Sequence, residues 1–208
     1  MERGDRELPG VFGFRPLVSD DLQLLHDWLG REHVRAWWGD RGTLDETVAE
    51  YLPSLEGADP TDLFAIVVEG RDAGLIQTYL VHDYPDWAAL IDAGDEAAGL
   101  DIFLADEKLL GRGLGTEVIR HFVGTVVFAR AATRACVADP DVRNLASVRA
   151  FEKAGFSAMK TFLDPEDGEL HMLMKLDRPK PEQARGEPRA WARRDRLRRT
   201  GHARGWEC

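Results

Sequence analysis

The stretch from Gly99 to Thr116 limits what this chain can fold into more than any other. Gly99-Leu100-Asp101-Ile102-Phe103-Leu104 is an apolar run with one acid inside it, the pattern of a buried strand. After a short spacer, Leu110-Gly111-Arg112-Gly113-Leu114-Gly115-Thr116 carries glycine at three alternate positions. Glu117-Val118-Ile119-Arg120-His121-Phe122-Val123 then opens a helix. Glycine has no Cβ, so backbone N–H groups at such a turn can close around an anion. The helix N-terminus adds partial positive charge at the same place. Strand, turn and helix together predict a pyrophosphate cradle. From the glycines alone, a plain strand-to-helix turn fits equally well. Two other phosphate motifs do not fit: a P-loop needs Gly-Lys-Ser/Thr at its end, and a dinucleotide fingerprint needs Gly-x-Gly-x-x-Gly.

A second stretch decides between the two: Asn144-Leu145-Ala146-Ser147-Val148-Arg149-Ala150-Phe151-Glu152-Lys153-Ala154-Gly155-Phe156. Arg112 through Thr116 resembles the acetyl-CoA pyrophosphate loop of the GNAT acyltransferase superfamily. Asn144 through Phe156 resembles that superfamily's Asn-x-x-(Ala/Ser)-x-x-x-(Tyr/Phe)-Glu-Lys-x-Gly-Phe helix, in the expected order and separation. Within the superfamily the chain is most similar to the aminoglycoside 6′-N-acetyltransferases. The matching pieces are Asp27-Trp28-Leu29, Trp37-Trp38-Gly39, Tyr51-Leu52-Pro53-Ser54, Gln77-Thr78-Tyr79, Gly99-Leu100-Asp101 and Asp139-Pro140. They span about residues 11 to 176.

The resemblance implies that acetyl-CoA is the co-substrate and lies along Ile102, Phe103 and Leu104. Gly111, Arg112, Gly113, Leu114, Gly115 and Thr116 would hold its pyrophosphate. Asn144, Ser147, Phe151 and Lys153 would complete the cofactor side. Asp101 would orient the acceptor amine and take its proton, as the catalytic residue. Trp37, Trp38, Gln77, Tyr79, Asp83, Trp87 and Asp139 would join Asp101 in binding the acceptor, a small cationic amine. No metal is implied. Two positions depart from the family pattern. Many relatives carry Tyr where this chain has Phe151, and Phe cannot protonate a departing thiolate. Leu110 replaces a common Arg or Gln, although Arg112 still supplies a cation.

A chain of 208 residues suits one domain with a sizeable core. No run of about 18 apolar residues occurs, and Met1-Glu2-Arg3-Gly4-Asp5 has no apolar leader core, so neither a membrane span nor a secretory signal is expected. The two cysteines, Cys136 and Cys208, suit a reducing cytoplasm rather than a disulfide framework. A net charge of −10 hides a split, since residues from Arg178 onward hold ten Lys/Arg and four Asp/Glu. The remainder, with 17 basic and 33 acidic residues, repels nucleic acid and attracts cations. Solubility alone would also explain that charge.

Along the chain, Val11–Leu17 reads as a first strand. Ser19 reads as the cap of a helix Asp20–Leu29, which places His26 and Asp27 on a solvated face. Arg31–Trp38 is a second helix, and Thr43 with Glu46 forms a capping box for Leu44–Leu55. Adjacent tryptophans point about 100° apart on a helix, so one of Trp37 and Trp38 should enter the core while the other lines a cleft. Asp62–Val68 and Ala73–Val81 pair around Glu69-Gly70-Arg71-Asp72. His82–Glu96 reads as a long acidic loop. Thr133–Ala138 is a strand with Cys136 buried, Asn144–Ala154 a helix stopped by Gly155, and Phe156–Phe162 with Leu170–Leu176 a final hairpin.

Hairpins at both ends with helical crossovers between them give an α+β class, a mixed but mostly antiparallel sheet flanked by helices. Residues 1–10 are expected to be an N-terminal extension, 11–177 the GNAT domain, and 178–208 an Arg/Pro-rich disordered tail. The alternatives are an N-hydroxylysine-type siderophore-precursor acyltransferase and a non-catalytic acyl-CoA-binding module. The first shares the pattern Asp141-Val142-Arg143-Asn144 but usually has His in the central strand, where this chain has Asp101. Partners are expected to be small molecules, with neither nucleic acid nor membrane, for a monomer or homodimer.

Overall fold

A computed structural model describes residues 11–39, 42–94, 96–165 and 167–180. The expected extension 1–10, and the tail from 181 onward, lie outside the described residues. Among the described residues seven strands form one sheet in the order β1-β2-β3-β4-β5-β7-β6. They are β1 Phe12–Pro16, β2 Asp62–Val68, β3 Arg71–Leu80, β4 Ala97–Leu104, β5 Ala135–Ala138, β6 Ser157–Leu163 and β7 Leu170–Asp177. Every neighbouring pair is antiparallel except β4 and β5. The α+β class expected from the sequence is therefore the one observed.

Six α-helices among the described residues cover the sheet: α1 Leu22–Leu29, α2 Glu32–Trp38, α3 Leu44–Leu55, α4 Pro85–Ile91, α5 Leu114–Thr125 and α6 Leu145–Ala154. Strand alternation sorts the side chains into two apolar layers. Ile66, Ile76, Leu100 and Leu104 pack with Val118, Phe122 and Phe151 of α5 and α6. On the opposite face Ala65, Leu75 and Phe103 pack with Leu25 and Trp28 of α1 and Tyr51 of α3. A smaller cluster joins Val81 and Ile91 to Val137 and Leu173, with Trp87 and Phe162 against it. Among the described residues no helix is long and apolar enough to cross a membrane.

Local chemistry explains most boundaries. The Thr43–Glu46 capping box forms as expected, with Thr43 Oγ1 accepting from the Glu46 N–H at 3.3 Å and Glu46 accepting from the Thr43 N–H at 2.6 Å. Asn144 caps α6, and Gly155 ends it at φ 108°. The β2–β3 turn is tighter than expected: Glu69 and Gly70 both adopt positive φ, at 50° and 77°. That pair closes a two-residue hairpin, so β3 begins already at Arg71.

Four expectations need correction. Ser19 is not a helix cap but begins a 3₁₀ turn, in which the Asp21 carboxylate accepts from the Val18 N–H at 2.9 Å. His26 is buried rather than solvated, its Nδ1 lying 2.9 Å from Thr47 Oγ1 where α1 packs on α3. The stretch 82–96 is not one long loop. Pro85 starts α4, and Trp87 and Ile91 turn inward one helical turn apart. The tail boundary at 178 also cuts through an anchored residue. The Arg178 guanidinium donates to the carbonyls of Phe128, Thr133 and Arg130, and lies 5.2 Å from the Phe128 ring centre.

One close approach fixes the start of the central strand. A Cβ on Gly99 would overlap the ring of Tyr79 on the paired strand β3, so only glycine lets that ring cross. Gly99→Ala is expected to destabilise the fold by about 1–3 kcal/mol, the usual cost of overpacking. In a Tyr79→Ala background most of that cost should vanish, as a double-mutant cycle in urea would read.

Candidate active site

The parallel pair β4–β5 stays together for only three residue pairs, from Ala97↔Ala135 to Gly99↔Val137. β5 then ends at Ala138, and Asp139-Pro140 turns the chain away. Proline fixes φ and has no N–H to donate, so the ladder cannot continue through it. β4 runs on to Leu104, and among the described residues no strand pairs with its β5-facing edge from Leu100 onward. The sheet is open there. A cleft of about 650 Å³ enters the gap and is lined by residues from both faces of the sheet.

Asp101 lies at the mouth of this gap, half-buried on the face that also carries Phe103. It sits opposite Gln77 in the β3–β4 register, and Gln77 Nε2 donates to Asp101 Oδ2 at 2.9 Å. The charge of Asp101 reaches its neighbours. It adds to burial in raising the Tyr79 phenol well above its ordinary value, with Asp139 contributing less. Burial likewise raises the Cys136 thiol, and Asp101 raises it further. Fully buried and protonated, Cys136 cannot act as a nucleophile.

Aromatic side chains form the near wall. Trp38 stands edge-on to Phe103 at 4.8 Å, and its Nε1–H donates to Tyr51 Oη at 3.0 Å. Trp37 is 48% exposed at the cleft rim. Both tryptophans line the cleft, Trp38 also packing against the core and Trp37 standing exposed at the rim, so the expected division between core and cleft is incomplete. Tyr79 stands edge-on to Tyr84 at 5.1 Å. Tyr84 Oη donates to Asp59 at 2.9 Å and meets Thr61 Oγ1 at 2.6 Å, tying α4 to the segment before β2. Burial pushes the Tyr84 phenol up to about 12.

The far wall is acidic. Asp139 lines the cleft as expected, but it does not stand alone. His171 of β7 points Nδ1 at the Asp139 carbonyl oxygen, 2.7 Å away, and at Asp139 Oδ2, 3.3 Å away. Its Nε2 lies 3.1 Å from Asp167 Oδ2. The hydrogen bond to Asp139 is the main cause that pushes the imidazole up to about 9, against burial and with help from Asp167. Asp139, Asp164 and His171 bring three donor atoms within 4.8 Å of one another, the spacing of a metal site. A carbonyl oxygen only accepts, however, so Nδ1 must carry hydrogen and has no lone pair for an ion.

The glycine turn lies where α5 begins. Gly111 and Gly113 take positive φ, 67° and 85°, and Gly113 caps the helix. The N–H groups of Leu114, Gly115 and Thr116 fall in the first turn, where a helix has no partners for them. A Cβ on Gly115 would meet nothing within 4 Å. Nothing in the protein therefore requires glycine at that helical position, although it costs roughly 0.5–1 kcal/mol against Ala. Space kept clear beside unpaired N–H groups fits a phosphate group. The residues present match the implied pyrophosphate.

Of the other expected residues, Ile102, Asn144, Ser147 and Phe151 border the cleft with Gln77 and Trp87. Phe103 and Leu104 turn their side chains into the core, which leaves only their backbone for a cofactor. The Thr116 hydroxyl is turned toward the Ala150 carbonyl, at 3.4 Å, and Asn144 Oδ1 is occupied by the Ser147 N–H at 3.1 Å. Two other expected residues do not line this cleft. Asp83 is exposed outside the cleft, 3.5 Å from His82 Nε2, because α4 replaces the expected loop. Lys153 is exposed on α6 and, like the glycine turn, does not line this cleft. His171, Tyr84 and Asp59 were not found from the sequence. Each sits in an ordinary run, and only the fold brings it to the site.

The family model described as an acetyltransferase (GNAT) domain matches residues 18–163. The chain belongs to the GNAT acetyltransferase family. It is 32% identical over 164 residues to the aminoglycoside N(6′)-acetyltransferase type 1 of Klebsiella pneumoniae, covering 76% of this chain and 80% of that protein. It is 28% identical over 150 residues to the lysine N-acyltransferase MbtK of Mycobacterium tuberculosis, covering 69% of this chain and 68% of that protein. Among solved structures it is similar to AAC(6′)-Ib in complex with paromomycin and acetyl-CoA, with a TM-score of 0.76 and 30% identity, covering 86% of this chain and 100% of that one.

Gly115→Asp separates fold from ligand at the cradle. An acid in the first turn of α5 favours the helix dipole, so the melting temperature of the free protein should hold or rise slightly. Saturating CoA, at about 100 times its Kd, stabilises a folded protein by about 2.7 kcal/mol. That thermal shift should be present in the wild type and absent in the variant.

Proposed function

We propose that this chain transfers the acetyl group of acetyl-CoA to a primary amine of a small polycationic acceptor, an aminoglycoside 6′-amine, and that the domain expected over residues 11–177, extended through Arg178, is the catalytic one. The observation that carries this reading is the place of Asp101. A carboxylate stands on the central strand where that strand loses its partner, at the head of a cleft whose charged lining is almost wholly acidic. The similarity to aminoglycoside acetyltransferases supports the same acceptor class.

Acetyl-CoA supplies an acyl carbonyl activated as a thioester. The unpaired edge of β4 offers main-chain groups to its pantetheine arm in the manner of an added strand. The glycine turn and the first N–H groups of α5 receive the pyrophosphate. Asp59, Asp101 and Asp139 draw a polycation into the cleft. Asp101 then holds the acceptor ammonium by a charge-assisted hydrogen bond, takes its proton and leaves the nitrogen aimed at the carbonyl. Gln77 keeps one carboxylate oxygen oriented. Phe151 borders the cleft without a polar atom, so the departing thiolate is protonated by some other donor.

Asp101→Asn preserves size but removes charge and basicity. Acceptor-dependent CoA release should fall by roughly 100- to 10,000-fold, the range for losing a general base. Calorimetric titration with CoA should stay near wild type, since the cofactor meets backbone and the glycine turn. Turnover near wild type would overturn the role of Asp101. Lost CoA binding would show instead that the strand had been disturbed.

A further inference from the structure

We infer that His171 determines acceptor specificity: its imidazolium is a counter-cation built into the far wall, and the distal ammonium group of a polycationic acceptor competes with it for Asp139, Asp164 and Asp167. This inference rests on the acetyl-transfer reading and concerns a part of the cleft beyond Asp101.

The geometry requires the charge. Nδ1 faces a carbonyl oxygen at 2.7 Å, and Nε2 faces a carboxylate oxygen at 3.1 Å. Neither partner can donate, so both ring nitrogens carry hydrogen. Asp164 Oδ2 stands 3.9 Å from Nδ1. The charged groups around the ring come from two segments. Asp139 and Asp141 belong to the segment between β5 and α6, and Asp164 and Asp167 to the β6–β7 turn. From β6 the ring meets only Phe162, at 6.1 Å. Asp141 is already matched, since Arg143 pairs with it and with Glu169.

Three carboxylates therefore share one imidazolium. His171 is also the only cationic side chain among the described residues lining the cleft. The acids that would attract a second ammonium group are thus partly neutralised in advance. An ammonium arriving within about 6 Å of the ring repels it, less strongly than in a dry interior because Asp167 is half exposed. An acceptor with a single amine, held at Asp101, brings no second ammonium group to this wall.

Two acceptors test this: kanamycin, and 6-amino-6-deoxyglucose, which carries one amine. His171→Asn keeps a donor toward the Asp139 carbonyl and removes the charge. The readout is the ratio of the two KM values near pH 7. It should shift about five- to tenfold in favour of kanamycin in the variant. An unchanged ratio, or a parallel rise in both KM values, would overturn the inference and make His171 a structural pin. A second arm needs no turnover. The His171 ring is titrated by NMR in the wild-type protein with CoA, with and without saturating kanamycin. By reciprocity, kanamycin should lower the imidazole pKa by up to about one unit. An unmoved titration would also overturn the inference. If neither acceptor is acetylated while the titration moves, the acetyl-transfer reading fails and the acceptor-specificity role of His171 falls with it, leaving only competition between an ammonium group and the imidazolium for these carboxylates.

Discussion

The site depends on a pairing that stops. Parallel strands β4 and β5 hold together for three residue pairs and then separate, because Asp139-Pro140 turns one strand out while the other continues. The unpaired edge that results would be a liability on a protein surface. Here it faces a cleft, where a ligand's polar groups can take the place of a strand. The cleft is arranged around this opening: Asp101 at its mouth, α5 and α6 on one face, and the aromatic wall on the other.

Charge is the second organising force. Asp59 is kept well supplied with neutral donors, from Ser54, Thr61 and Tyr84. Asp101 takes one from Gln77, and Asp139 takes a charged one from His171. Three acids of one cleft thus have three kinds of partner, and they are not equivalent toward a cation. Hydrogen bonds from neutral groups steady a carboxylate without cancelling its charge, whereas an imidazolium cancels part of it.

Much of this was legible in the residues. The strand, glycine turn and helix from Gly99 onward are local patterns, with spacing set by backbone geometry, and they appear where expected. The capping box at Thr43 and the stop at Gly155 are local in the same sense. Asp101 was visible as one acid in an apolar run. What could not be read is what the fold brings together from afar. His171 and Asp139 are 32 residues apart, and Tyr84 and Asp59 are 25 apart, each within an unremarkable run. α4 is hidden in the sequence because it is short and flanked by acids, while its register comes from burying Trp87 and Ile91 against β-strands. His26 was misjudged because the face that α1 shows to α3 cannot be seen in α1 alone.

The place of β7 bears on how the molecule comes together. It is the last described strand, yet in the sheet it lies between β5 and β6, and Arg178 fastens its far end to carbonyls of the α5–β5 segment. During synthesis one edge of β5 stays uncovered until its partners in β7, 36 to 42 positions later, emerge and slide in beside it. Pairings between distant residues form late and slowly. By that rule the wall of the cleft that carries His171 forms late, and a nascent chain without β7 holds Asp101 on β4 before it has the far side of the cleft.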